Sequence, residues 1–287
     1  KSIGLGLVLA GSLIALHSPI SEAQAPSRPV PVKPDVPYVP TPESVVMAML
    51  ELANVNRNDI VYDLGSGDGR LVITATQKFG AKKGVGIEIN PGLVSRSIAN
   101  AKEAGVSSRT QFIQQDLFQT DFREASVVTL YLLPRLNLQL RPKLLSDLKP
   151  GSRVVSHAFD MGDWKPDQTV KVNDRSAYLW IIPANMSGSW TGTLSTKSGQ
   201  TQPYKIDGKQ SYQNARDTVT MGGNYMSLPQ VKLTGDRFSV EHRQKLNGQN
   251  MRFKINGQVN GNNLQGTAEV QTEQGTQTYN LTAQRSQ

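Results

Sequence analysis

Ile60-Val61-Tyr62-Asp63-Leu64-Gly65-Ser66-Gly67-Asp68-Gly69-Arg70-Leu71 passes from a short apolar stretch through three alternating glycines and back into a helical pattern. A strand feeding a glycine turn and then a helix sets that turn at the carboxyl edge of a sheet, where backbone can approach a ligand closely. Upstream, Thr41 suits a helix N-cap, Pro42 the first helical position and Glu43 the positive end of the dipole, with Val45, Val46, Met49, Leu50 and Ala53 on one face. Downstream, the pattern predicts a helix over 71–79 and a second strand over 84–89. Asn90-Pro91 caps a further helix that turns Leu93, Val94, Ile98 and Ala101 to one side and stops at Gly105. Phe112-Ile113 marks a third strand, 127–133 a fourth, 153–158 a fifth, and 177–182 a last one. Residues 136–148 read as helical but contain Pro142, which should kink or split the helix. Strands alternating with helices predict an α/β, Rossmann-like doubly wound parallel sheet.

Two ligand classes use such a turn, dinucleotides and S-adenosylmethionine. The dinucleotide fingerprint needs a third glycine three places after the second, where Arg70 stands. Asp63 before the glycines and Asp68 among them would repel a pyrophosphate and suit a cationic ligand. Glu88, at the tip of the second strand, is placed to accept both ribose hydroxyls, which either ligand offers. Asp116 after the third strand is placed for an adenine amino group, with Leu117 against the ring. Together with Gly65 and Gly67 these acids, each at its own strand end, make a set that a glycine turn alone does not.

Asp63 to Arg70, followed by Gly86-Ile87-Glu88-Ile89-Asn90-Pro91, resembles the class I S-adenosylmethionine-dependent methyltransferases. Within them the chain is most similar to the ATP synthase c-subunit lysine N-methyltransferase family and its bacterial relatives, on Pro37-Tyr38-Val39-Pro40, Asp116-Leu117 and Trp164-Lys165-Pro166-Asp167. The resemblance spans 37–183. It implies S-adenosylmethionine as cofactor and an amine acceptor, protein lysine. It also implies that Tyr38 and Tyr131 line the methyl-transfer site and that Thr41 donates to the cofactor carboxylate. Asp160, with Asp163 and Trp164, would form an acidic, aromatic acceptor wall; the competing reading is a solvated loop. Leu132-Leu133-Pro134 replaces the Asn/Asp-Pro-Pro-Tyr motif of amide and adenine methylases, which argues against those acceptors. His157 reads as a core histidine rather than a base.

Residues 3–16 are apolar, too short for a bilayer span of about 20 residues but the right length for a signal h-region. Ala23-Gln24-Ala25 follows as a small-x-small cleavage site, although Pro26 beyond it suits a peptidase poorly. The expectation is a signal peptide over 1–25 and export to a periplasmic or secreted location. The alternative is an uncleaved membrane anchor over 3–20, matching the hydrophobic membrane segment of the similar family. Export conflicts with a methyl donor made in the cytoplasm. Residues 26–36 are a proline-rich linker, since 19–42 holds eight of the 16 prolines.

The 287 residues carry no cysteine, which excludes a disulfide framework, a thiol nucleophile and a zinc ribbon. Three scattered histidines argue against a metal site. The net charge is +8, and 11 Lys/Arg against 6 Asp/Glu fall in 184–287, so the basic excess is concentrated there. No aromatic–basic cluster accompanies it, so nucleic acid is not the favoured partner. Residues 184–287 alternate apolar and polar: Phe238, Val240, His242; Met251, Phe253, Ile255; Leu264, Gly266, Ala268, Val270; Tyr279, Leu281, Ala283. Asn247-Gly248 and Asn260-Gly261 read as hairpin turns. This predicts a smaller antiparallel all-β domain, barrel or sandwich, after a methyltransferase domain over 37–183. Two functional readings follow. One is an active amine methyltransferase. The other is an exported, non-catalytic binding protein whose β domain holds the target.

Overall fold

The computed structural model describes residues 38–246 and 248–286. The expectations for 1–25, for the linker 26–36, for Pro37 and for the turn residue Asn247 lie outside the described residues. The elements of the first domain are α1 (Glu43–Leu52), β1 (Ile60–Leu64), α2 (Arg70–Gln77), β2 (Lys83–Glu88), α3 (Pro91–Glu103), β3 (Thr110–Gln114), β4 (Val127–Leu130), α4 (Pro134–Asp147), β5 (Arg153–His157), β6 (Gln168–Val172) and β7 (Arg175–Ile181). They build a seven-stranded sheet in the order β3-β2-β1-β4-β5-β7-β6.

Strands β1 to β5 are parallel and buried on both faces at the centre, which explains the near-continuous apolar runs of β1 and β4. One face packs Val61, Val127, Val155 and Leu179 under α1 and α2. The other packs Tyr62, Leu64, Leu130 and Trp180 under Leu136, Leu140 and Leu144 of α4. The strand order reverses between β1 and β4, and the glycine turn sits at that switch point.

The sheet departs from the all-parallel expectation at one edge. β7 runs antiparallel to β5, and β6 pairs antiparallel with β7 through a turn in which Asn173 has φ 54°. β6 escaped the sequence pattern because its residues are mostly exposed. Pro142 does not split α4, which continues through it. The bond it cannot make would reach the carbonyl of Leu138, whose side chain is exposed, so water can serve that carbonyl. Thr41 is not the N-cap of α1; Pro42 is, and no side chain caps the helix. Ile98, expected on the buried face of α3, is exposed, while Ser97 and Ala101 are buried.

The second domain comprises β8 (Gly188–Ser195), β9 (Thr201–Ser211), β10 (Asn214–Met221), β11 (Asn224–Thr234), β12 (Arg237–Leu246), β13 (Gln249–Asn260), β14 (Asn263–Thr272) and β15 (Gly275–Arg285). Each strand pairs antiparallel with the next, and β15 pairs with β8, so the sheet closes on itself. Of the two architectures left open by the sequence, the barrel is the one formed. The β13–β14 turn is Gly261-Asn262, one residue later than the pattern suggested. Tyr204, Leu228, Val240, Leu264 and Leu281 point into one core, while the alternate positions are polar, such as Lys205, Ser227, Glu241, Gln265 and Thr282. That alternation is the inverse of a lipid-facing barrel. No helix among the described residues is long and apolar enough to cross a membrane.

Barrel and sheet meet at the β9–β10 and β11–β12 turns. Tyr212 stacks on Trp164 at 5.7 Å, its hydroxyl donates to Asp163 at 3.0 Å, and Gln213 Nε2 donates to the Lys165 carbonyl at 2.7 Å. The Ala184 N–H donates to the Gly235 carbonyl at 2.7 Å.

Candidate active site

The glycine turn is pinned to the next strand by two bonds, from the Gly65 and Ser66 N–H groups to the Ile87 carbonyl at 2.8 and 2.9 Å. Gly67 has φ +55°, a left-handed conformation that glycine adopts without the strain a side chain brings. The turn opens on a cavity of about 350 Å³, whose wall includes Tyr38, Thr41, Asp63, Gly65, Ser66, Gly67, Asp68, Arg70, Glu88, Asp116, Leu117 and Tyr131. The cofactor-side residues expected from sequence therefore share one cavity with both tyrosines. Asp160 is not on its wall.

Glu88 ends β2 with both carboxylate oxygens engaged: Oε2 accepts from the Gly67 N–H and Oε1 from the Asn90 N–H, each at 2.9 Å. Each oxygen keeps acceptor capacity for a hydroxyl. Asn90 fulfils its capping role, accepting from the Gly92 and Leu93 N–H groups. Asp116 accepts from the Phe118 N–H at 2.9 Å, which fixes its carboxylate at the cavity edge beside Leu117. Asp63 is 3% exposed and accepts from the Thr129 hydroxyl at 2.7 Å. Burial, with Glu88 and Asp68 nearby, pushes its carboxyl up to about 7 against that bond.

Asp68 has a partner of its own. Arg70 Nε and Nη2 donate to its two oxygens at 2.9 and 2.6 Å, and Arg70 Nη1 donates to the Thr41 carbonyl at 2.8 Å. Burial alone would raise Asp68, but Arg70 outweighs it and holds the carboxyl below the usual range. Asp68 thus fastens the segment 38–41 to the turn rather than offering a bare negative charge. Burial, then the Asp68 carboxylate, raises the Tyr38 hydroxyl above its ordinary value, so the phenol stays protonated.

On the same cavity wall, Tyr131 packs against His157 with centroids 3.9 Å apart. His157 is fully buried, its Nδ1 lies 3.3 Å from the Thr41 hydroxyl, and its Nε2 meets no partner among the described residues. Burial, with Arg175 nearby, lowers it to about 4, so the ring is neutral at physiological pH. The Thr41 hydroxyl therefore faces a histidine.

The expected acceptor wall dissolves. Trp164 is fully buried at the joint with the barrel, Asp163 pairs with Arg141 and Tyr212, and the Asp160 carboxylate accepts from the Gly162 N–H of its own turn. Sequence reasoning passed over Arg70 as a site residue and did not single out Ser66. A cation two places after Asp68 was the available signal for the first.

These residues fit S-adenosylmethionine. The Ser66 Oγ is buried at the turn with no partner among the described residues, and the Asp63 carboxyl stands in the wall with no ion pair among the described residues. A doubly wound sheet, a glycine turn at its switch point and acids at three successive strand ends define a class I S-adenosylmethionine-dependent methyltransferase. Comparison with known proteins narrows the class. Residues 63–168 match the ANTKMT methyltransferase domain. A protein-lysine N-methyltransferase of Saccharolobus islandicus is 49% identical over 52% of this chain and 95% of its own length. The ATP synthase c-subunit lysine N-methyltransferase of Xenopus laevis is 35% identical over 56% of this chain and 68% of its own. A crystal structure described as an RNA methyltransferase from Salinibacter ruber, in complex with S-adenosyl-L-homocysteine, is 57% identical with a TM-score of 0.51, covering 52% of this chain and 96% of that one. The chain belongs to the protein-lysine N-methyltransferase family that carries the ANTKMT-type domain.

Proposed function

We propose that this enzyme methylates the ε-amino group of lysine in a protein. The observation that carries the reading is an aromatic wall residue of the cavity, Tyr131, packed against a neutral His157. A lysine amine must arrive unprotonated to attack carbon, and its ordinary pKa is about 10.4. Surroundings without a charge partner disfavour the ammonium form, so the proton leaves to solvent before the amine settles. S-Adenosylmethionine supplies the electrophilic methyl group. Glu88 would hold its ribose hydroxyls, Asp116 its adenine amino group and Asp63 its ammonium, which leaves Tyr38 and Tyr131 to shape the acceptor side. The chain aligns the reactants and excludes water, which is where such enzymes gain most of their rate.

Labelled methyl donor, incubated with the enzyme and separate protein and RNA fractions, tests the acceptor. Methyl-lysine in protein hydrolysates is the expected product. Label released by nuclease instead would replace lysine with RNA, the acceptor class that the description of the Salinibacter structure names.

We infer further that residues 1–25 address the chain for export, from the apolar run 3–16 and Ala23-Gln24-Ala25. Membrane tethering through 3–20 is the competing arrangement, and it would keep the domain beside its cytoplasmic donor if the catalytic face stayed inside. Mass spectrometry of the mature N-terminus after fractionation decides: a chain starting near Pro26 supports export, an intact N-terminus in the membrane fraction defeats it.

A further inference from the structure

The barrel encloses a larger space than the catalytic domain does. Its cavity measures about 910 Å³, with walls of Val219, Met226, Leu228, Phe253, Ile255 and Leu281. At roughly 30 Å³ for each water-sized group, it holds on the order of twenty to thirty non-hydrogen atoms. One end is shut: Trp190 is fully buried, donates to the Met186 carbonyl at 3.0 Å and is covered by the Arg285 guanidinium 4.2 Å from its ring. The other end is rimmed by Thr196, Gln200, Asn224, Gln249 and Gln277, from the opposite set of strand ends, and this polar ring is the mouth.

Among the described wall residues, one carboxyl interrupts the lining. Asp217 lies inside β10, 4% exposed, and its Oδ1 meets no hydrogen-bond partner among the described residues. Burial pushes its carboxyl up to about 6. A buried carboxyl oxygen left without a partner in an apolar interior is costly unless a donor completes it. A barrel that only needed a core would place a valine or leucine there. Among the described residues no lysine, arginine or histidine lines the cavity, so an anionic head group would face Asp217 without compensation.

We propose that the barrel is a second binding site, for a single hydrophobic molecule whose hydroxyl or amino group donates to Asp217 and whose hydrocarbon body fills the space up to the polar mouth. It lies outside the matched domain, residues 63–168, and uses no residue of the methyl-transfer cavity.

The test uses the full chain and N-phenyl-1-naphthylamine, an uncharged fluorophore with one N–H donor. Its fluorescence should rise and saturate at one probe per chain. 1-Dodecanol and dodecylamine, below their micelle concentrations, should displace it at about tenfold lower concentration than dodecanoate, a difference of about 1.4 kcal/mol. Asp217→Asn should keep probe binding and erase that preference. Met226→Trp and Val219→Trp, which fill the space, should each weaken the probe by about tenfold or more while leaving S-adenosylhomocysteine binding and the far-ultraviolet melt unchanged. If a tryptophan variant does not fold, the wild-type stoichiometry and the Asp217→Asn comparison decide alone. Absence of saturable binding, dodecanoate competing as well as dodecanol in the wild type, or unchanged binding in folded tryptophan variants would each overturn the proposal.

Discussion

The ring of Tyr38 fills the space that a side chain at Gly67 would need: a Cβ there would stand 2.9 Å from its Cδ2 and nearer still to its Cε2. The tyrosine is held over the turn because Arg70 reaches from Asp68 to the Thr41 carbonyl, three residues further along the same segment. The glycine therefore serves its own backbone conformation and the close approach of an aromatic cover.

Gly67→Ala should weaken S-adenosylhomocysteine binding by about tenfold or more. The left-handed conformation costs a side chain about 1–2 kcal/mol and the clash with Tyr38 adds to it. Calorimetry of Gly67→Ala beside the Tyr38→Ala/Gly67→Ala double variant separates the two. The double variant should recover only the share due to the clash, and full recovery would show that backbone strain contributes nothing.

Glu88→Ala removes the acceptor of the Gly67 and Asn90 N–H groups as well as the ribose contact. Bonds to a charged group are worth about 1.5–3 kcal/mol, so affinity for S-adenosylhomocysteine should fall about ten- to hundredfold. Unchanged affinity would remove Glu88 from the site.

Asp63 gives the site a pH dependence with a definite sign. Its carboxyl, pushed up to about 7, is neutral below that pH and ionised above it. An ammonium ligand favours the ionised form, so binding should strengthen as pH rises through 7. Affinity at pH 6 should be about tenfold below the plateau, since each pH unit below the pKa changes the ionised fraction that much. Asp63→Asn should bind weakly with a flat profile. A flat wild-type profile between pH 5.5 and 7.5 would count against the role given to Asp63.

Tyr212 joins the domains by a ring stack, a hydroxyl bond and the Arg141 guanidinium 5.3 Å from its ring. Tyr212→Phe loses only the bond to the exposed Asp163 and should cost below about 1 kcal/mol. Tyr212→Ala loses the stack and the cation contact and should cost about 1–3 kcal/mol. Denaturant titration should then resolve two transitions, because the barrel closes through its own strands and keeps its own core. Residues 184–287 alone should accordingly melt cooperatively with a β-type spectrum.

The sequence by itself determined whatever depends on neighbours along the chain. Three alternating glycines require a turn that side chains would strain, Asn90-Pro91 starts a helix by its own hydrogen bonds, and the apolar runs of β1 and β4 declare strands covered on both faces. Acids at strand ends were legible because a parallel sheet sends every strand's end to the same edge. Even the interior carboxyl of the barrel was within reach, since Asp217 shares the parity of Ala215 and Val219 along β10. Only the tertiary structure decided which polar groups find each other. Asp68 and Glu88 look alike as acids beside a glycine turn, yet one is tied to Arg70 while the other receives two backbone N–H groups. Thr41 has the composition of a helix cap but meets His157 across 116 residues of chain. Trp164 and Asp163 look like a wall for a substrate and instead hold the barrel, because their partner Tyr212 arrives from another domain. Local propensity acts over a few residues. A side chain's partner is set by packing that brings distant segments together, and a string of residue types does not carry that distance.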